Sequence, residues 1–128
     1  MKINENILLG NTGIKLKEIL EEGSNDNGNY IRCGNGILIC YIKRKINLSV
    51  TTKWNNFYIA DLSAINYPYV FINIPVEMIT INRAGGRNGW IMCASANTNK
   101  KTSTAYVVSP ENWTQECEIS YVAFGRWK

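Results

Sequence analysis

The chain has 128 residues, 45% of them apolar and 19% charged, a composition that fits one folded domain and argues against disorder. Its net charge of +4 comes from 14 Lys and Arg against 10 Asp and Glu, and the one dense basic run is Lys43-Arg44-Lys45, so no nucleic-acid partner is expected. Histidine is absent, which removes the usual general base, the usual zinc ligand and the usual pH switch.

Residues 1–28 read as a lead-in and residues 29–128 as the folded body. In the lead-in, Ile7-Leu8-Leu9 is strand-like and Gly10 to Gly13 form a turn. IKLKEILEE, residues 14–22, predicts a short helix with Thr12 as its N-cap and Gly23 at its end. Ser24 to Gly28 (SNDNG) reads as a polar linker. The apolar run at residues 7–9 is too short for a signal peptide, and no stretch is long enough to cross a membrane, so synthesis in a reducing cytoplasm without membrane insertion is expected.

The body opens on a hairpin. Tyr30–Cys33 and Ile37–Ile42 flank Gly34-Asn35-Gly36, and Asn-Gly between apolar runs favours a two-residue turn. That turn would set Cys33 opposite Leu38 and Ile31 opposite Cys40, with all four on one face. Phe57–Leu62 predicts a strand. NYPYVFINIP carries Pro68 and Pro75, so a broken or edge segment is expected there. Val76–Asn82, Gly89–Ser95, Thr104–Ser109 and Cys117–Gly125 are further strands, separated by RAGGRN, by the loop 97–102 and by the loop 110–116. Short strands at this spacing predict an all-β, antiparallel sandwich or barrel.

Several strands are apolar on both faces. Trp90, Met92 and Ala94 oppose Ile91 and Cys93, and in the closing strand Ile119, Tyr121 and Ala123 alternate with Val122 and Phe124. A second contact layer is implied: a covering loop or the lead-in, or a subunit interface. On the interface reading, Tyr121 and Phe124 belong to it.

Catalytic motifs are scarce. Cys33, Cys40, Cys93 and Cys117 lack C-x-x-C spacing and read as buried free thiols, with no metal or other cofactor expected. Sequence brings no two carboxylates together, so the chain is expected not to be an enzyme. Binding chemistry is better supplied, with four Trp and seven Tyr. An aromatic face stacks on a sugar ring while nearby amides and guanidinium groups bond its hydroxyls. The ligand-binding candidates are Trp54, Asn55, Tyr58, Arg87 and Trp113. Core packing is the plain alternative for each Trp. The sequons at Asn47 and Asn112 read as chance matches.

The stretches NGNYIRCGNGILICY, NYPYVFINIPVEMITI, Gly89 to Ile91 and the ending ISYVAFGRWK, in this order, give the body a resemblance to the C-terminal tip domains of bacteriophage and prophage tail-fibre proteins. The resemblance covers residues 28–128. It implies a β-sandwich similar to the H-type lectin fold, a homotrimer, and recognition of host cell-surface glycans or proteins at the end of a phage or phage-tail-like particle. A structural tail or baseplate part without its own ligand is the alternative, followed by a small polysaccharide-degrading enzyme. No family ligand residue carries over, since no ligand motif matches.

Overall fold

The structure is a computed structural model that describes residues 19–128. The strands are β1 (Ile19–Asn25), β2 (Gly28–Cys33), β3 (Ile37–Val50), β4 (Thr52–Trp54), β5 (Phe57–Leu62), β6 (Val76–Arg83), β7 (Trp90–Ser95), β8 (Thr104–Ser109) and β9 (Trp113–Arg126). They form a five-stranded sheet in the order β1-β2-β3-β9-β6 and a four-stranded sheet in the order β4-β5-β8-β7. Every pairing is antiparallel, and no helix occurs among the described residues. The two sheets make the expected β-sandwich.

The fold is organised by β3 and β9. They pair over 14 residues each, from Ile37 opposite Arg126 to Val50 opposite Trp113. The register sets Cys40 against Ala123, Ile42 against Tyr121 and Val50 against Trp113, and all six are buried. Strand alternation therefore puts both apolar sets on one face of the sheet. Leu62, Ala105 and Val107 of the second sheet meet them in the core. Beyond Thr51 the chain passes from β3 into β4, and so from one sheet into the other.

Residues 63–75 form no strand, as the prolines required, but they are not a surface loop. Tyr67 and Phe71 are core residues, packed edge to face with centroids 5.2 Å apart. The segment is sewn to residues 98–102: Tyr67 N–H donates to the Lys100 carbonyl, Thr102 N–H to Ile65 and Phe71 N–H to Asn99. Tyr69 packs against Tyr30 of β2, tilted at 47° with centroids 5.1 Å apart, so the segment also covers the inner face of the β1–β2–β3 edge.

Four expectations are corrected. Ile19–Glu22 of the predicted helix lie in β1, paired with β2, while residues 14–18 lie outside the described residues. SNDNG is the β1–β2 turn: Asn25 sits opposite Gly28, and the Asn25 side chain accepts from Asn27 N–H. A partner strand outweighs helical spacing in so short a segment.

The β2–β3 hairpin is shifted by one residue. Ile31 faces Ile39 and Arg32 faces Leu38. The loop is the three-residue Gly34-Asn35-Gly36, with Gly36 N–H bonded to the Cys33 carbonyl and Gly36 at φ 101°. Ile31 and Cys33 thus lie on the face opposite Leu38 and Cys40, and Tyr30 and Arg32 take the inner one.

Finally, Tyr121 is not an interface residue. It is 2% exposed and sits in the core, whereas Phe124 on the other face of β9 is 42% exposed.

The end of β9 is clamped. Trp127 Nε1 donates to the Cys33 carbonyl at 2.7 Å, and the Arg32 guanidinium lies 4.6 Å from the Trp127 ring centroid. Gly125 opposes Leu38 and leaves room for Phe71; a Cβ there would stand 2.7 Å from Phe71 Cδ1. Because that ring is buried and fixed, Gly125→Ala should cost roughly 1–3 kcal/mol by overpacking. Urea unfolding reads this as a lower midpoint with an unchanged slope.

Candidate functional site

The β4–β5 hairpin places the most exposed aromatic cluster among the described residues. Trp54 and Phe57 are opposite each other across Asn55-Asn56. Asn55 adopts φ 53°, a left-handed conformation that asparagine tolerates better than most residues. In β5 the buried Leu62 fixes the inner parity, so Phe57, Ile59 and Asp61 point outward. Trp90 and Met92 of β7 lie on the same outer face, opposite Val108 and Tyr106 of β8.

The Phe57 ring is therefore flanked on both sides. Trp54 stands 6.4 Å away by centroid and Trp90 5.6 Å away, the latter edge to face at 82°. Val108 lies fully buried on this outer side of β8. Trp54 is 42% exposed and Trp90 46% exposed. The result is a rigid apolar platform on the outer face of the four-stranded sheet, with the carboxylate of Asp61 further along the same face.

The sequence candidates distribute unevenly around it. Trp54 is in the platform and Asn55 is exposed beside it. Tyr58 points to the inner side, opposite Ser109, and packs against the core. Arg87 is exposed in the β6–β7 turn, where its N–H bonds to Ala84 and where Gly85 and Gly86 both have positive φ. Trp113 is 4% exposed; its indole N–H donates to the Asn88 carbonyl at 3.0 Å and to Ser109 Oγ at 3.1 Å. Its role is to hold the β6–β7 turn on the core, and it offers no face to a ligand. Phe57 and Trp90 complete the aromatic cluster without being among the sequence candidates. A two-residue turn at Asn55-Asn56 was the available signal for Phe57, because it pairs Trp54 with residue 57.

A second exposed surface lies on the outer face of the five-stranded sheet. Ile39, Phe124 and Val76 form one row across β3, β9 and β6, and Tyr41, Val122 and Met78 form the next. Ile72 and Ile74 extend it at one border. Further along the same strands the rows turn polar: Lys43, Ser120 and Thr80, then Lys45, Glu118 and Arg83. One sheet face is thus apolar at one end and charged at the other. Contiguous apolar patches of this kind are uncommon on surfaces left facing water.

The thiols divide. Cys40 and Cys117 are buried, Cys33 is half-buried, and Cys93 is exposed, which corrects the expectation of four buried thiols. Burial pushes the Cys40 thiol up to about 12 and raises that of Cys117. Among the described residues no His, Cys, Asp or Glu cluster could hold a metal. In the native protein Ellman's reagent at pH 8 should modify Cys93 rapidly and leave Cys40 and Cys117 untouched until denaturant is added; peptide mapping reads the order.

No protein-family model matches the chain, and no curated protein does. Two solved structures share its fold. The C-terminal part of the R1 pyocin fibre of P. aeruginosa superposes with a TM-score of 0.61 at 13% identity, over 83% of this chain. The chain spans only 28% of that fragment. An N-truncated R1-type pyocin tail fibre gives a TM-score of 0.56 at 15% identity, over 83% of this chain and 86% of the other. The chain is therefore similar in fold to part of R1-type pyocin tail fibres.

Proposed function

We propose that the chain is the receptor-binding tip of a phage, prophage or phage-tail-like bacteriocin fibre, and that it recognises host cell-surface carbohydrate in the manner of an H-type lectin. The observation that carries the carbohydrate reading is the Trp54–Phe57–Trp90 platform. Two half-exposed indoles held around a third ring offer aromatic surface against which a pyranose can stack. The likeness to pyocin fibres supports the setting. On this reading the protein is not an enzyme, needs no cofactor, is assembled in the bacterial cytoplasm with other tail proteins, and acts outside the cell.

The tip is a homotrimer on this proposal. The rows Ile39–Phe124–Val76 and Tyr41–Val122–Met78 supply its contact face, since their side chains otherwise stand in water. The same apolar patch also suits a structural tail part with no ligand of its own, and binding data separate the two.

On a glycan array or whole cells, Trp90→Ala and Trp54→Ala should each weaken binding about tenfold or more, a loss of about 1.4 kcal/mol. Both variants should keep the oligomer. Binding with no host-strain preference, or unaffected by both substitutions, would favour the structural reading. Phe124→Asp puts a charge at an exposed position of the patch and should leave a folded monomer. Sedimentation at micromolar concentration reads this, and a wild-type protein that sediments only as monomer would remove the trimer from the proposal.

A further inference from the structure

β6 and β7 are the terminal strands of their sheets, and the sandwich is open between them. A cleft of about 340 Å³ lies there, lined by Glu77, Ile79, Ile91, Cys93, Ala96, Asn97, Ser103 and Ala105. Its size is at the low end for small-molecule sites and suits one ring or a short chain.

The polar groups in this cleft are unusual in kind. On β6 the residues Val76, Met78 and Thr80 face out, so Glu77 turns inward, in register with the buried Ala123. Ser103 N–H reaches both carboxylate oxygens, at 3.1 and 3.2 Å. The Tyr67 hydroxyl is a second donor within reach of Glu77, and the carboxylate keeps acceptor capacity beyond these two. Asn97 spends its amide N–H groups on Tyr67 Oη at 3.0 Å and the Pro75 carbonyl at 3.1 Å, which leaves its carbonyl oxygen to accept. The ion pairs among the described residues are Arg32–Glu21 and Lys43–Glu118, and Glu77 is in neither. The cleft thus offers acceptors and a negative charge between the apolar walls of Ile79, Ile91 and Ala105, with no cationic side chain lining it.

We infer that this cleft is a binding site for a small ligand bearing a primary ammonium group, with Glu77 as its counter-ion and Asn97 as a second acceptor. An ammonium ion brings three donors and no acceptor, the complement of what the lining presents. The site is separate from the aromatic platform and stands whether or not the platform binds sugar. An amino sugar and an amino alcohol both carry the required group.

The Ser103 amide, bonded to Glu77, is a local reporter in ¹⁵N-resolved NMR of the full chain. Titration with glucosamine or with ethanolamine should shift it saturably, and the tighter of the two identifies the source of the amine. N-acetylglucosamine, the same ring with its amine neutralised, should leave it in place. Glu77→Gln keeps an oxygen for the Ser103 N–H and removes the charge, so it should weaken the amine by about tenfold or more. Trp54→Ala should bind the amine as the wild type does. The inference is overturned if neither amine shifts Ser103, if N-acetylglucosamine shifts it equally, or if Glu77→Gln binds undiminished. The comparison of the amine with its acetylated form uses the wild-type protein and so does not depend on how the variant folds.

Discussion

The β3–β9 ladder is the constraint on which the rest of the molecule depends. Its 14 paired positions align two alternating patterns so that one face is core at most positions, interrupted at Arg44 and Gln115. Everything else attaches to an end or an edge of it. β2 and β6 hydrogen-bond to its two sides, and β4 continues from its far end into the second sheet. At the near end, Gly125 admits Phe71, and Trp127 ties the chain to the β2–β3 turn. The aromatic platform sits on the sheet entered through β4, so its position is also set by where β3 stops.

The two surfaces differ in how their exposure arises. Trp54, Phe57 and Trp90 support one another, and the platform needs no partner to keep its shape. The Ile39–Phe124–Val76 row has no such internal reason to be outside. Its side chains alternate with the core residues of the same strands, so the outward set is forced to be outward once the inward set is chosen. On the proposed trimer they are half of a contact.

Strand positions were legible where alternation and turn residues agreed. Phe57–Leu62 and Thr104–Ser109 match their predicted bounds, and the irregular course of residues 63–75 follows from Pro68 and Pro75. Register was not legible in the β2–β3 hairpin. Gly34-Asn35-Gly36 allows both a two-residue and a three-residue loop, and the choice between them moves Ile31 from one face to the other. β1 was hidden because ILEEGSN becomes a strand only through its pairing with β2. In the site, Trp54 stood out by its polar neighbours. Trp113 has equally polar neighbours, yet its indole N–H finds acceptors inside the fold, and local sequence does not carry that information. The inward Glu77 was hidden for the opposite reason. VEMITIN offers Val, Met and Thr on one side and Glu, Ile and Ile on the other, and the pattern alone does not say which side is the interior.

The length of the β3–β9 ladder also bears on how the protein comes to be folded. Leu38 is hydrogen-bonded into a strand pair with Gly125, so the central pairing joins residues far apart along the chain. Loop closure over that distance must precede most of the favourable contacts, and chains of this topology fold slowly. During translation β3 has only the short β2 beside it until the β9 segment has been made. Until then the 14-residue strand has its whole β9-facing edge open, beside an inner face that is mostly apolar. The nascent chain is most exposed to misassociation in that interval. High expression temperature and rapid synthesis lengthen the list of intermolecular partners available to β3, while its intended partner arrives last.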